Sequence, residues 1–480
     1  MVRHLSAKAF AAAAGSCHDV PMMRTVELPL WLLVLVLGFA AISFSSHFLF
    51  PSVRWFFRGR MERALARLNK RLDRPIEPFK LMARQDMIVR LVHDPAVSQA
   101  VADHARETGV PESVAFQEAR TYAREIVPGF SALVYFGFAT RAARWLSKAF
   151  YRVRVGRVNA ALVQIDRQAT VIFIMNHRSN MDYVLVTWLV ADRSALSYAV
   201  GEWARVWPLS RLIRAMGAYF IRRGSRNTLY RRVLARYVQM ATAEGATQAV
   251  FPEGGLSLDG RVGAARMGLL NYIVTGFDPA GRNVVFVPVA IAYDRVLEDR
   301  LLVEAGTSGE RRFRARPRSI LAFIGRILWR MVRRRFAGFG MAAVAFGAPL
   351  SLRDYLAGTP GATTESLGAR LMADVAHSLP VLPVPLVAAA LVAGPVPRAA
   401  LEGAIAGLVT RLEAAGALLH LPADALARGL RVLEARGIVR EGPKGLEAAP
   451  DKAGLLAFYA AGVLQRLEIG ESNYSATQQT

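Results

Sequence analysis

Short apolar runs alternate with helical segments between about residues 165 and 350. Four continuous runs, rich in β-branched residues, lie at 171–175, 249–251, 284–287 and 342–346. Apolar residues recur at helical spacing between them, at 184–190, 228–240 and 267–274. Continuous apolar runs indicate strands that are buried on both faces, and helical connections indicate parallel neighbours. The alternation predicts an α/β fold with a mixed, largely parallel sheet and flanking helices.

The segments on either side of this region have a different pattern. Residues 54–150 show helical apolar spacing, and the chain after about residue 360 is rich in Ala and Leu. We therefore predict a helical region at 54–150, an α/β domain at 151–360 and a helical C-terminal region at 361–480. The uncharged run 126–140 is too short to span a bilayer, so we expect a core or interfacial helix there.

An uncharged stretch near the N-terminus predicts a membrane anchor. Residues 28–53 contain no Lys, Arg, Asp or Glu, and at ~1.5 Å per residue a helix of this length crosses a hydrocarbon core of ~30 Å. A cleaved signal peptide is one alternative, although its apolar run is typically only ~7–15 residues long. A buried core hairpin is the other. The tail 1–27 precedes the span, and Met22-Met23 suggests a later start that would leave 1–21 untranslated.

Basic residues set the predicted orientation of this span. Eight Arg and Lys residues lie between 54 and 74, whereas three precede the span. The positive-inside rule then predicts that the bulk of the chain faces the cytoplasm, at the inner (plasma) membrane. Residues 320–334 form a second candidate contact, with apolar side chains on one helical face and Arg on another. A solvated helix on the sheet is the alternative for that segment.

Composition narrows the possible partners. The chain carries a net charge of +24 and is 53% hydrophobic. A basic chain binds nucleic acid or an anionic membrane, and the apolar excess favours membrane phospholipid over nucleic acid. A single cysteine, Cys17, excludes an internal disulfide and a Cys-based zinc site, and we predict no metal. P-loop, H-E-x-x-H and post-strand G-x-G-x-x-G patterns do not occur.

The first polar cluster follows the predicted strand 171–175. It contains His177 and Asp182, at the carboxyl end of a strand, where α/β proteins place chemistry. With His177 in a loop and Asp182 in the first helical turn, the carboxylate can turn back to the imidazole, as in a general-base pair. A capping box with Ser179 as N-cap and Asp182 as the N3 acid explains Ser179 and Asp182 equally well, but it leaves His177 unexplained. The sequence leaves catalysis and capping open.

Three further clusters follow in order. A short apolar strand delivers Arg222 and Arg223 to a polar loop, and paired guanidiniums suit a phosphate, although an exposed basic loop is the alternative. The next cluster holds an acid, glycines, a hydroxyl and a base, at Glu253, Gly254, Gly255, Ser257 and Arg261. It is either a ligand-binding loop or a plain Gly-rich turn. The last cluster is the strand around Pro288, a residue that fits poorly in a central ladder and so would shape a pocket wall.

In this order the clusters resemble the four motifs of the glycerolipid acyltransferase superfamily. The matching stretches are His177-Arg-Ser-Asn-Met-Asp182, Phe220-Ile-Arg-Arg223, Glu253-Gly-Gly-Leu-Ser257 and the strand from Val287-Pro288 to Tyr293. They are most similar to the bacterial membrane-bound glycerol-3-phosphate and dihydroxyacetone-phosphate acyltransferases. The similarity covers roughly residues 115–355, and the stretch around Tyr459 is similar to a helix near the end of bacterial members.

The resemblance implies acyl transfer from acyl-CoA or acyl carrier protein to the sn-1 hydroxyl of glycerol 3-phosphate, without a cofactor. It implies that His177 is the general base and that Asp182 orients it. The implied substrate-binding residues are Arg222, Arg223, Glu253, Gly254, Ser257, Arg261 and Pro288. Leu256, where Arg is common, and Asn176, before the His, depart from the pattern and affect the identity of the acceptor.

Other functions stay open at this point. Lysophosphatidate and dihydroxyacetone phosphate are alternative acceptors for the same chemistry. A lipid esterase using Ser257 is a more distant alternative, and it is opposed because Asp259 stands where a nucleophile elbow needs Gly. A non-enzymatic membrane-binding protein is the third, and it is opposed by the ordered clusters.

Overall fold

The computed structural model describes residues 63–156, 163–191, 193–201, 209–222, 224–309 and 338–477, with side chains to residue 470, and scattered positions elsewhere. The chain divides into two compact units, residues 1–68 and 69–480, and the second contains the sheet and all helices from Pro78 onward. Nearly all of the predicted span 28–53 and of the predicted amphipathic helix 320–334 lies outside the described residues. No described helix is long and apolar enough to cross a membrane.

One mixed sheet organises this unit. Its strands are β1 (Arg152–Val155), β2 (Thr170–Met175), β3 (Ser197–Val200), β4 (Tyr219–Phe220), β5 (Gln248–Val250), β6 (Val284–Tyr293), β7 (Met341–Phe346) and β8 (Leu350–Ser351). They lie in the order β1-β7-β6-β2-β5-β3-β4, with β8 also pairing with β6. Strands β6, β2, β5, β3 and β4 run parallel to one another, whereas β7 and β8 run antiparallel to β6. The predicted mixed, largely parallel sheet is confirmed.

Helices cover the sheet. Those before and between the strands are α1 (Pro78–Leu81), α2 (Arg84–Val92), α3 (Pro95–Thr108), α4 (Glu112–Ile126), α5 (Thr140–Phe150), α6 (Met181–Val190), α7 (Leu209–Ala215), α8 (Thr228–Ala243), α9 (Met267–Thr275) and α10 (Asp299–Ser308). Those after the sheet are α11 (Leu352–Gly358), α12 (Thr364–His377), α13 (Pro383–Leu391), α14 (Leu401–Ala414), α15 (Ala425–Ala435) and α16 (Ala453–Thr477). Strands β9 (Val439–Gly442) and β10 (Gly445–Ala448) form a hairpin inside the predicted helical C-terminal region.

Two hydrophobic cores explain why the strands read as continuous apolar runs. Every residue of β2 and of β6 is buried. Phe173 and Met175 face a core shared with α6, α13, α15 and α16, whereas Ile172 and Ile174 face one shared with α2, α3, α4 and α8. Burial on both faces removes any polar alternation along a strand. The sheet therefore holds its carboxyl ends rigidly between two helical layers.

Pro288 lies within this sheet rather than at its edge, opposite Ile174 of β2. On the other side of β6 the ladder is interrupted between Phe346 and Leu350, and Gly347 N donates to Pro288 O at 2.8 Å. The N–H and C=O of a strand residue point the same way, so the missing N–H of Pro288 faces this interruption. A central strand thus accommodates proline without losing a ladder bond to β2.

The uncharged run 126–140 contains more than one element. Helix α4 ends at Ile126, and a π-helix from Leu133 to Ala139 begins after an irregular connection and continues directly into α5. Pro128 and Gly129 lie in the connection, where neither favours a continued helix.

Candidate active site

The predicted residues of the first and third motifs meet at one edge of the sheet. His177 follows β2 and Glu253 follows β5, and these two strands are parallel neighbours. Carboxyl ends of parallel strands share an edge, so the loops that follow them lie side by side. Asn176 fixes the end of β2, because its side-chain amide exchanges two hydrogen bonds with Ile291 of β6, at 3.0 and 2.8 Å.

His177 and Asp182 form the predicted pair. His177 Nδ1 lies 2.9 Å from Asp182 Oδ2, and both side chains are buried. A carboxylate at this distance accepts the Nδ1 hydrogen, which leaves Nε2 as the basic nitrogen. Nε2 has no hydrogen-bond partner within the described part of the chain. Aromatic rings of Phe251 and Tyr183 hold the imidazole, with centroids 4.2 and 5.3 Å away.

Asp182 also closes the turn before α6. The same Oδ2 accepts from the backbone N–H of Arg178 at 2.7 Å and of Ser179 at 3.0 Å. The carboxylate reaches back over the helix start as a capping acid does, and it orients the imidazole with the same oxygen. The N-cap of α6 is Asn180 rather than the predicted Ser179, but the Asp182 carboxylate still closes the turn and contacts His177 at the same time.

Two partners of this loop lie far away in sequence. Tyr293, the last residue of β6, donates its hydroxyl to Asp182 Oδ1 at 2.7 Å. Glu298 accepts from Ser179 Oγ at 2.8 Å and from Asn180 Nδ2 at 3.1 Å. Burial raises the pKa of Glu298, and the bonds from these two residues oppose the shift. Tyr293 is the last residue of the fourth motif and Glu298 follows it, but nothing in the sequence shows which side chains they contact.

The loop after β5 holds the main chain of His177 from both sides. Glu253 Oε1 accepts from His177 N at 2.9 Å, and Ser257 N donates to His177 O at 2.8 Å. Burial raises the pKa of Glu253 to about 7, while the His177 N–H and the positive charge of Arg178 oppose the shift. The Glu253 carboxylate thus contacts the backbone of His177 rather than its ring.

Close approach of α16 requires glycine in this loop. Gly260 has φ +83°, and a Cβ placed there would lie 1.9 Å from the carbonyl oxygen of Phe458. Val262 N donates to Gln465 Oε1 at 2.8 Å, and Arg261 pairs with Glu468. The C-terminal helix therefore fixes the loop that in turn fixes His177.

Arg222, which was predicted to bind a phosphate, has partners within the protein. Arg222 makes a bidentate pair with Glu125, at 2.9 and 2.7 Å, and its guanidinium lies over the rings of Tyr122 and Tyr230. The pair with Glu125 raises the pKa of Arg222. Arg223 lies outside the described residues.

The hydroxyl of Ser257 is engaged within its own turn. Ser257 Oγ lies 2.8 Å from Arg261 O and 3.1 Å from Asp259 Oδ1, and it accepts from Gly260 N at 3.1 Å. Gly254 in the same loop has φ +68° and lies against the Arg266 side chain. The hydrogen bonds of Ser257 Oγ therefore stabilise the turn 257–261.

Arg178 is a buried cation that the sequence did not single out. It is 7% exposed, and burial lowers its pKa against the attraction of Glu253, Asp182 and Asp259. Its Nε has no hydrogen-bond partner among the residues with described side chains. A Cβ at position 462 would lie 2.8 Å from Arg178 Nη2, so Gly462 leaves room for the guanidinium beside α16.

No group of three or more His, Cys, Asp or Glu side chains that could hold a metal ion occurs in the described part of the chain.

Comparison with known proteins places family matches on both halves of the compact unit. Residues 158–292 match the family model Acyltransferase, and residues 325–465 match the model of the glycerol-3-phosphate acyltransferase C-terminal region. The first match contains His177, Asp182 and Glu253, and the second includes most of α16. The predicted resemblance to the glycerolipid acyltransferases is confirmed.

Curated proteins that are similar to this chain are named glycerol-3-phosphate acyltransferase. The glycerol-3-phosphate acyltransferase of Ectopseudomonas mendocina (strain ymp) is 30% identical over 331 residues, which cover 64% of this chain and 39% of the relative. That of Pseudomonas putida (strain GB-1) is 29% identical over 355 residues, covering 69% and 42%. The chain thus spans about two fifths of the length of these relatives. The solved 1-acyl-sn-glycerophosphate acyltransferase of Thermotoga maritima is 18% identical, with a TM-score of 0.29, over 49% of this chain and 73% of that one.

Proposed function

We propose that this chain transfers a fatty acyl group from an acyl thioester to the sn-1 hydroxyl of glycerol 3-phosphate, which gives lysophosphatidic acid. The observation that carries the proposal is the buried His177–Asp182 pair, at 2.9 Å, at the carboxyl end of β2. The two family matches and the names of the curated relatives support the choice of reaction.

In the proposed mechanism His177 acts as general base. Asp182 accepts the Nδ1 hydrogen, so Nε2 can take the proton of the acceptor hydroxyl while its oxygen attacks the thioester carbonyl. The resulting imidazolium is stabilised by the same carboxylate. Collapse of the tetrahedral intermediate breaks the C–S bond, and the proton on Nε2 passes to the thiolate. The thioester is already activated, so no acyl-enzyme and no cofactor is required.

The remaining site residues are assigned to substrates. Arg222 would exchange Glu125 for the acceptor phosphate, since a bidentate guanidinium suits either anion. Arg223, Ser257 and Arg261 would complete this subsite, with Ser257 Oγ and the Arg261 guanidinium exchanging their bonds to Arg261 O and Glu468 for the phosphate. Glu253 and Gly254 would shape the acceptor side, and Pro288 the acyl-donor side.

The esterase alternative is disfavoured by the bonds of Ser257. A serine nucleophile needs its hydroxyl against a general base, but this hydroxyl contacts Asp259, Gly260 and Arg261 of its own turn. Acylation of lysophosphatidate or of dihydroxyacetone phosphate would need the same general base, His177, so both stay alternative acceptors.

The setting of the reaction is part of the proposal. Residues 28–53 would anchor the chain in the inner membrane, with the compact unit on the cytoplasmic side, where acyl-CoA or acyl carrier protein supplies the acyl group. The uncharged run and the basic residues that follow it support this orientation.

The test is acyl transfer by membranes containing the chain, with each of the three acceptors and either donor. We expect glycerol 3-phosphate to be preferred and His177→Ala to lose at least about 1,000-fold in rate. His93→Ala is the matched control, because His93 follows the last residue of α2 and is exposed. Transfer that survives His177→Ala would refute the mechanism, and preference for lysophosphatidate would refute the proposed acceptor.

A further inference from the structure

A continuous helical surface between Leu133 and Phe150 exposes large apolar side chains. The π-helix and α5 together present Leu133, Phe138 and Trp145, which are 65%, 60% and 60% exposed. The opposite face is buried through Tyr135, Ala139, Ala143 and Ser147. We call the outer side, consisting of Leu133, Phe138, Arg141, Arg144, Trp145 and Lys148, the docking face.

The charges on the docking face all have one sign. Arg141, Arg144 and Lys148 are exposed, and none of them has a carboxylate within ion-pair distance among the described residues. Neither Asp nor Glu occurs anywhere from residue 127 to residue 165. The face is therefore cationic without any compensating acid on its own element, which is uncommon on a surface that is merely solvated.

We propose that the docking face binds the headgroups of anionic phospholipids and inserts Leu133, Phe138 and Trp145 among them. Interfacial helices have this composition, with aromatic and aliphatic side chains at the acyl boundary and Arg or Lys at the phosphates. Each cation near an anionic bilayer strengthens binding by roughly fivefold, so three together give on the order of a hundredfold. Nucleic acid would use the cations but would leave most of the exposed apolar area in water.

The docking face lies close to the helix that carries Asp182 of the candidate active site. Helix α5 packs against α6, and Lys148 Nζ lies 5.7 Å from the Trp188 ring centroid near the end of α6. Asp182 lies in the first turn of the same helix, which is ten residues and so about 15 Å long. Membrane contact here would hold the reacting edge within about one helix length of the lipid into which an acylated product partitions.

The inference is separate from the proposed anchor at 28–53 and from the proposed reaction, because it concerns where one face of the folded unit rests. The test uses the full chain with Cys17→Ser, carrying an environment-sensitive fluorophore on a new cysteine. Phe138→Cys reports on the docking face. Ser98→Cys is the matched control, because Ser98 is exposed on α3 and differs from cysteine by one atom. Both proteins are reconstituted into vesicles of phosphatidylcholine, with or without an equal part of phosphatidylglycerol.

With phosphatidylglycerol we expect the fluorophore at position 138 to shift its emission to the blue and to be quenched by aqueous iodide at least threefold less than the one at position 98. Combining Arg141→Glu, Arg144→Glu and Lys148→Glu should abolish that protection. Equal iodide quenching at both positions in anionic vesicles would overturn the proposal. Protection that appears only when a soluble acidic acyl carrier protein is added would overturn it in favour of a protein partner. Glycerol 3-phosphate acylation measured on the same samples reports separately on the reaction.

Discussion

Replacing Asp182 by Asn removes a charge from the site while allowing nearly all of its hydrogen bonds to persist. Oδ2 of Asp182 accepts from His177 Nδ1, Arg178 N and Ser179 N, whereas Oδ1 accepts, among the described residues, only from the Tyr293 hydroxyl. In Asp182→Asn the amide oxygen can take the place of Oδ2. The amide nitrogen then faces Tyr293, whose hydroxyl can rotate and accept its hydrogen.

The expected magnitudes follow from this arrangement. Hydrogen bonds to a charged group contribute about 1.5–3 kcal/mol and neutral ones about 0.5–1.5 kcal/mol, but removing a buried charge also relieves its desolvation. We therefore expect Asp182→Asn to lower the free energy of unfolding by only about 1–3 kcal/mol. The turnover number should fall much more, by about 100- to 10,000-fold, because the imidazolium formed at His177 loses its counter-charge.

Tyr293→Phe separates the two contributions. It leaves Asp182 Oδ1 buried without its donor, which costs about 1–3 kcal/mol of stability, while the charge beside His177 remains. In the double variant Asp182→Asn with Tyr293→Phe the hydroxyl that is lost bonded a neutral amide rather than a carboxylate, so the combined cost should fall short of the sum of the single costs by about 1 kcal/mol.

Urea unfolding followed by circular dichroism, and initial rates with saturating glycerol 3-phosphate, measure both quantities on the same samples. Retention of more than half the turnover number in Asp182→Asn would refute the role of the charge. Additive unfolding free energies in the double variant would refute the proposed arrangement of the amide.

Three further predictions concern the surroundings of this pair. Burial holds the pKa of Glu253 at about 7 against an ordinary value of 4.5, so the native state binds the proton more tightly and wild type should lose about 3 kcal/mol of stability between pH 4.5 and 7. Urea midpoints measured across this range should fall less in Glu253→Gln, and equal slopes would contradict the shift. Gly260→Ala should lower the unfolding free energy by about 3 kcal/mol or more, because a Cβ there meets a backbone carbonyl of α16. In thermal melts, Gly109→Ala, with φ +71° and open space, should cost only about 1–2 kcal/mol, and similar losses would contradict the clash. Arg222→Gln should raise KM for glycerol 3-phosphate by about tenfold or more, whereas Glu125→Gln should leave it unchanged or lower, and a higher KM in Glu125→Gln would argue that the pair is structural.

The central sheet could be predicted from the sequence because strands buried on both faces are continuous apolar runs. Strands β2, β5, β6 and β7 are continuous apolar runs, and each begins within one residue of its predicted start. Strand β3 was not predicted, since four residues are too few for a periodic signal, whereas β4 lies in the short apolar strand predicted before Arg222. The π-helix was missed for a related reason, because its repeat differs from the helical spacing that was sought.

The site was predictable in its parts but not in its contacts. His177 and Asp182 are five residues apart, so a turn at the strand end was enough to suggest their pairing. Tyr293 lies 111 residues from Asp182, and Glu125 lies 97 residues from Arg222. Such pairs depend on the order of strands in the sheet, which local patterning does not encode. The substrate-binding roles of Arg222, Ser257 and Pro288 stay predictions.

The contacts between the loop after β5 and α16 also bear on how this chain is synthesised. Arg261 pairs with Glu468, so the loop that holds His177 is secured by a residue about 290 positions after His177. At roughly 5–20 residues per second, a ribosome needs on the order of 15–60 s to make the intervening chain. Throughout that interval the nascent His177 loop lacks its support from α16. A partly made chain would therefore be unable to acylate anything, and a chain cut before α16 should be inactive even though it retains every residue of the first family match.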